Sequence, residues 1–202
     1  VSHYFSPDSP GASSPREIEV VLRGRPVRVA TDRGVFSGER LDPGTAVLLS
    51  HVPDPPAAGT LLDLGCGWGP IALALAAASP QARVLAVDVN PRALELTARN
   101  ATRLRHAVEV AQPDVLLAAE PELALDAIWS NPPIRVGKDA LHAMLRTWLP
   151  RLAPDGVAHL VVSKNLGADS LQRWIENELG QATSRIASSK GFRVLAVAAS
   201  AR

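Results

Sequence analysis

Hydrophobic positions in this chain follow two different periods, and the change from one to the other divides it. Near the start Ile18, Val20 and Leu22 occupy every second position, the turn-forming run Arg23-Gly24-Arg25-Pro26 follows, and Val27 and Val29 resume the alternation. That pattern predicts a β-hairpin. Asp42-Pro43-Gly44-Thr45 then opens a short helix to His51, with Thr45 read as its N-cap. After a Pro-rich break at 52–59 the texture changes to short apolar runs at 61–64, 83–88, 107–110, 124–130 and 158–163, separated by helical patterns. Such alternation predicts a mostly parallel sheet covered by helices on both faces. Asn90-Pro91 joins an N-capping side chain to a proline at the first helical position and predicts a helix to about residue 103. Leu141, Met144, Leu145, Trp148 and Leu149 share one helical face until Pro150 stops the run. The tail breaks the alternation: 182–187 and 192–198 flank Ser188-Ser189-Lys190-Gly191 and read as an antiparallel hairpin closing the sheet. The expected organisation is a flexible arm at 1–15, a hairpin and helix at 16–58, and a main body at 59–202.

Composition narrows the classes. The 202 residues carry 21 basic and 20 acidic side chains, a formal charge of +1, which excludes a uniformly basic nucleic-acid binder and leaves room for a local basic face. With 47% hydrophobic and 20% charged residues the chain is expected to bury a proper core. One cysteine excludes an internal disulfide framework and fits a reducing compartment. The longest apolar run, 71–78, falls far short of the ~20 residues that cross a bilayer, and the start of the chain lacks the basic and apolar segments of a secretory signal. A cytoplasmic monomer without membrane contact is expected. His3, His51, His106, His142 and His159 show no metal-ligand spacing, so no metal is expected.

The densest local signal is Asp63-Leu64-Gly65-Cys66-Gly67-Trp68-Gly69-Pro70, where an apolar strand passes into an Ala/Leu-rich helix. Glycines there permit a sharp turn and let a ligand approach without a Cβ in the way, while the helix start offers unpaired N–H groups. The spacing is G-x-G-x-G, unlike the G-x-G-x-x-G of dinucleotide sites, so the usual pyrophosphate cradle is missing. Asp88, 21 residues beyond Gly67 and followed by Val89, ends the next strand, where a carboxylate accepts from ribose hydroxyls. Nicotinamide and S-adenosylmethionine sites both use an acid there, and Asp88 alone does not separate them. Asp114 is placed to accept from an adenine amine, or is a polar turn residue in Gln112-Pro113-Asp114. Cys66 has no evident base partner and is expected to fill a small space.

Asn131-Pro132-Pro133-Ile134 lies at the carboxyl end of the fourth main strand, beside the switch point where open α/β sheets bind ligands. Consecutive prolines lack N–H groups and hold φ nearly fixed, so the backbone presents carbonyl acceptors without competing donors. That suits a planar exocyclic amine, a weak nucleophile whose lone pair is delocalised. The Asn131 side-chain oxygen and the Pro132 carbonyl can hold both its hydrogens and aim the lone pair at an electrophile. A tight turn after a strand explains Asn-Pro equally well when the string is taken by itself.

Taken in order, these strings resemble the class I S-adenosylmethionine-dependent methyltransferases, and more narrowly the small-domain family that includes ribosomal RNA guanine-N2 methyltransferases. The resemblance runs through HYF at 3–5, LRG at 22–24, TDRGVFS at 31–37, LDPGT at 41–45, DLGCGWGPIALA at 63–74, DVNPRAL at 88–94, SNPPIRVGK at 130–138 and GFRVL at 191–195. It implies an α/β, Rossmann-like, seven-stranded, mostly parallel sheet with an antiparallel last strand, preceded by a small hairpin and helix. It also implies S-adenosylmethionine seated over Asp63, Gly65, Cys66, Gly67 and Gly69, with Asp88 and Val89 at the ribose and Asp114 at the adenine. Asn131, Pro132 and Pro133 would hold the amine being methylated, that of guanine in ribosomal RNA, with RNA or a ribosomal subunit as partner.

Two departures bear on the substrate. Related amine methyltransferases often carry Tyr or Phe after the prolines, where this chain has Ile134, so stacking on a base must come from elsewhere; Phe36, Trp129 and Trp148 are the candidates, with core packing the favoured reading of each. The better-known RNA enzymes of this type also have a duplicated N-terminal domain, in whose place stand a hairpin and an arm. Residues 134–202 hold ten Lys/Arg against five Asp/Glu, and Arg135, Lys138, Lys164 and Lys190 follow strand ends where they can meet phosphates. Phe36, Ile134, Arg135, Lys138 and Lys164 are therefore the expected substrate contacts. Alternatives are a protein glutamine N-methyltransferase, since a side-chain amide is also planar and weakly nucleophilic, and a non-catalytic RNA or ribosome-assembly module on the same fold. A nicotinamide-dependent oxidoreductase ranks last, because neither the glycine spacing nor Asn-Pro-Pro serves hydride transfer.

Overall fold

The computed structural model describes residues 15–133 and 137–200. The expected arm and the candidates Ile134 and Arg135 thus fall outside the described residues, Pro15 of the arm excepted. The chain opens with an antiparallel hairpin, β1 (Arg16–Leu22) and β2 (Arg25–Thr31). Its alternation acts as predicted: Val20, Leu22 and Val29 are buried, while Glu17, Glu19 and Arg28 face out. In the helix α1 (Pro43–His51) the expected cap is corrected. Asp42 is the N-cap, its carboxylate accepting from the Thr45 N–H at 3.0 Å, and Thr45 sits within the first turn because Pro43 already has the helical φ.

The main body is a seven-stranded sheet of β3 (Thr60–Leu64), β4 (Arg83–Val87), β5 (Glu109–Ala111), β6 (Leu125–Ser130), β7 (Leu152–Ser163), β8 (Thr183–Ser189) and β9 (Phe192–Ala198), in the order β5-β4-β3-β6-β7-β9-β8. Only β9 runs antiparallel to its neighbours, and it is inserted between β7 and β8. The Rossmann-like α/β expectation holds, including its antiparallel final strand. β5 is shorter and later than the apolar run 107–110, because β4 pairs with it only from Leu85↔Glu109 onward.

Helices α1, α2 (Pro70–Ala78) and α3 (Pro91–Leu104) cover one face together with the hairpin; α4 (Pro113–Ala119), α5 (Lys138–Trp148) and α6 (Ala168–Trp174) cover the other. Strand side chains alternate between these two cores: Val84 and Ala86 enter the first, Leu85 and Val87 the second. The predicted face of α5 is buried in full, from Leu141 to Trp148 and on to Leu149. Asn90 caps α3 as predicted, accepting from the Arg92 N–H at 3.0 Å. Among the described residues no helix is long and apolar enough to cross a membrane. The strand order reverses between β3 and β6, so a crevice opens at their carboxyl ends.

Candidate active site

From β3 the chain turns through Gly65, Gly67 and Gly69, all at positive φ, into α2. The N–H groups of Gly65 and Cys66 both donate to the Val87 carbonyl, at 2.9 and 3.0 Å, which ties the loop to the end of β4. The glycines serve different ends. Among the described residues a Cβ on Gly65 would meet only Pro133 Cδ, and one on Gly67 only the Phe36 carbonyl, each at 4.0 Å, so neither is crowded by them. On Gly69 it would fall 2.9 Å from Thr97 Oγ1 and Cγ2; this glycine lets α2 pack on α3.

Asp63 is fully buried, and its Oδ2 accepts from the Ala72 N–H at 2.8 Å, supplying the cap that Gly69 has no side chain to give. Among the described residues its Oδ1 has no partner, and burial pushes its pKa up to about 8. Asp88 accepts from the Gly67 N–H (3.0 Å) on one oxygen and the Asn90 N–H (2.9 Å) on the other; partial burial raises its pKa and these N–H bonds oppose the rise. The neighbouring Val89 carbonyl accepts from Gln112 Nε2 at 3.4 Å. Asp114 is exposed in the first turn of α4, so the segment read as a possible turn is a helix start. The Cys66 thiol is buried against Thr97 with its pKa raised well above the usual value by burial, as befits packing.

Across the crevice Asn131 ends the β6 segment. Its Nδ2 donates to Asp42 Oδ2 at 2.7 Å and to Thr45 Oγ1 at 3.0 Å, while among the described residues nothing donates to its Oδ1. Ser130 Oγ donates to the Leu64 carbonyl at 2.6 Å and fixes the two central strand ends to each other. Pro132 is buried and Pro133 half-buried. Phe36, Asp42, Thr45, Gly65, Gly67 and Asn131 line the space between.

Phe36 stands 63% exposed at the mouth. Trp129 and Trp148 follow the favoured core reading and drop out as stacking candidates: at 1% and 2% exposure both lie inside the cores, because position 129 of β6 alternates inward and 148 falls on the apolar stripe of α5. Lys138, Lys164 and Lys190 are exposed on the carboxyl rim of the sheet, and the Lys164 N–H donates to the Gly191 carbonyl at 2.8 Å. Among the described residues no group of His, Cys, Asp and Glu is arranged to hold a metal ion. The reading from sequence did not assign Asp42 or Thr45 to the site. The available signal was Asp42-Pro43, which repeats the cap-plus-proline signature of Asn90-Pro91.

An open α/β sheet whose glycine turn and second-strand acid face an amide across the switch point is a nucleotide-cofactor fold with a polar acceptor opposite the cofactor loop. Residues 26–196 match the methyltransferase small domain, and the chain belongs to that family. It is an S-adenosylmethionine-dependent methyltransferase. It is 32% identical over 194 residues to YbxB of Bacillus subtilis, a protein named as uncharacterized, with 96% of each chain aligned. It is 35% identical over 191 residues to ribosomal RNA small subunit methyltransferase C of Pseudomonas putida, covering 92% of this chain and 55% of that one. Among solved structures it resembles the T. thermophilus 16S rRNA N2 methyltransferase RsmC in complex with AdoMet and guanosine, with a TM-score of 0.78 and 25% identity over 92% of this chain and 50% of that chain. The chain therefore spans about half the length of these RNA methyltransferases. Its residues fit the cofactor: among the described residues Gly65 and Gly67 leave the loop open, Asp63 keeps an unpaired buried oxygen, and Asp88 retains lone pairs beyond its two backbone bonds.

Proposed function

We propose that this methyltransferase modifies the exocyclic amine of a base, guanine in ribosomal RNA. The observation that carries the reading is the orientation of Asn131, whose amide hydrogens are both engaged by the start of α1 and its N-cap while, among the described residues, its oxygen is left unpaired in the crevice. Asn131 Oδ1 and the Pro132 carbonyl hold the two amine hydrogens and leave the lone pair directed toward the glycine loop. When bound, S-adenosylmethionine supplies the electrophilic methyl group. As the new N–C bond forms and the methyl–sulfur bond breaks, the electron pair of the latter would leave with the sulfur as a neutral thioether; positive charge grows on the nitrogen, and the two carbonyl dipoles stabilise it without a strong base. The nitrogen then loses one hydrogen as a proton to solvent. Asp88 and Val89 hold the ribose end of the cofactor and Asp114 its adenine end.

Phe36, exposed at the mouth, offers a face for the base in place of the aromatic missing at Ile134. Arg135, Lys138 and Lys164 meet the RNA backbone, which positions the strand without reading its sequence. A base within a duplex has to be flipped out to reach Asn131. The likeness to RsmC, solved with AdoMet and guanosine, supports guanine as the target. The test is methyl transfer from labelled S-adenosylmethionine to unmodified 16S and 23S rRNA, free and in subunits, beside a total protein fraction. Label recovered as N2-methylguanosine is expected. Label in protein glutamine, or in neither fraction, overturns the reading.

A further inference from the structure

We infer that Asp42 and Thr45 are positioning residues that set the Asn131 amide in its working orientation; this rests on the role given to Asn131 above. The two ends of a carboxamide have nearly the same shape, so sterics do not decide which of them faces the crevice. The neighbours decide it. An ionised carboxylate only accepts hydrogen bonds, so Asp42 Oδ2, 2.7 Å from Asn131, selects the nitrogen, and Thr45 Oγ1 takes the second hydrogen at 3.0 Å. A flipped amide would set oxygen against oxygen at Asp42 and turn donors toward the substrate amine, which itself has only donors to offer.

The selecting groups are themselves held. Asp42 Oδ2 also accepts from the Thr45 N–H at 3.0 Å, so a single oxygen caps α1 and grips Asn131. Gly44 provides the room, since a Cβ there would lie 2.9 Å from Asp42 Oδ2 and 3.0 Å from the Phe192 ring. The far end of α1 is pinned by Arg23, whose Nη1 donates to the carbonyls of Leu49 and Val52 at 3.4 and 3.2 Å. The acceptor is thus set before any substrate arrives, and its orientation costs nothing during the reaction.

Asp42→Ser separates the two duties of that oxygen, because serine caps a helix as well as aspartate but does not extend to the amide. Thr45→Val removes the second acceptor at nearly constant shape. Each variant is expected to lower kcat on unmodified rRNA, the pair by about 100-fold, with KM for RNA and Kd for S-adenosylmethionine within about twofold of wild type. Asp42→Asn, whose oxygen can still accept, restores part of kcat. Independently of activity, the Asn131 side-chain amide protons should exchange faster with solvent in both Asp42→Ser and Thr45→Val, read in 15N-edited NMR spectra of the full chain. In an Asn131→Ala background neither substitution should lower kcat further. A double variant with wild-type kcat beside an inactive Asn131→Ala overturns the positioning role and leaves the reading of Asn131 standing. Full activity in Asn131→Ala overturns that reading and the positioning role with it. Should Asp42→Ser fail to fold, Thr45→Val and its amide exchange decide the matter alone.

Discussion

Asn100 and the backbone of Ala30 exchange two hydrogen bonds: the Ala30 N–H donates to Asn100 Oδ1 at 2.7 Å, and Asn100 Nδ2 donates to the Ala30 carbonyl at 2.9 Å. The remaining amide hydrogen goes to the Trp68 carbonyl in the glycine loop, also at 2.9 Å. One fully buried side chain on α3 therefore acts as a strand partner for β2 and joins the hairpin to the cofactor loop. Asn100→Ala strands three backbone groups and is expected to cost about 3 kcal/mol, read as a lowered urea midpoint. An unchanged midpoint would show that the hairpin is held by apolar contacts alone.

Substitutions on the two sides of the crevice should part binding from turnover. Asn131→Ala is expected to retain S-adenosylmethionine affinity and lose about 100-fold or more in kcat, as removal of a charge-stabilising dipole does elsewhere. Asp88→Ala should weaken the cofactor first. Calorimetry on both variants checks this, and weak cofactor binding by Asn131→Ala would contradict it.

Gly69 combines a φ of 94° with a Cβ position only 2.9 Å from Thr97. Gly69→Ala pays both for the left-handed backbone and for the displaced threonine, whose hydroxyl donates to the Gly67 carbonyl at 3.0 Å. A loss of about 2–3 kcal/mol and a correspondingly lower Tm are expected. Gly67→Ala, by contrast, meets open space on its Cβ side and should show its larger effect on cofactor affinity.

His159 is buried on β7, its Nδ1 without a partner among the described residues, and burial holds its pKa down at about 4 from the usual 6.5. The unfolded chain takes up this proton first. The contribution of His159 is therefore complete above pH 6.5 and lost as pH falls from 6.5 toward 4, in total about 3 kcal/mol. Denaturant midpoints of wild type and His159→Leu across that window should diverge, the variant losing less on acidification. Parallel curves would refute the assignment.

Phe36→Ala removes the exposed ring at the mouth without opening a core cavity. It is expected to raise KM for rRNA about tenfold, leaving cofactor affinity and Tm near wild type. Equal loss with free guanosine as acceptor would place the ring on the base itself.

Much of this architecture follows from local pattern. Period-two runs became strands, the apolar stripe of 141–149 became the inner face of α5, and the final strand occupies 192–198 as read. The glycine loop, Asp88 and Asn131 converge because each ends a strand on the same edge of the sheet. What the pattern did not reveal are pairs far apart in the chain. Asn131 lies 89 residues from Asp42, and Asn100 lies 70 from Ala30; nothing in the neighbourhood of either amide encodes its partner. Helix α4 was invisible for another reason: seven residues are too few to display a period, so Pro113-Asp114 looked like a turn. Aromatic residues were ambiguous in a third way, since a ring suits a core and a binding face equally, and only packing separated Trp129 from Phe36.

The antiparallel strand β9 is an interior one. Among the described residues β8 pairs only with β9, so it is joined to the sheet through that strand alone. Phe192, at the start of β9, lies against Gly44 beside Asp42, so the support for Asn131 leans on the same strand. Loosening the β7–β9 pairing would therefore be felt at the Asn131 amide as well as in the sheet.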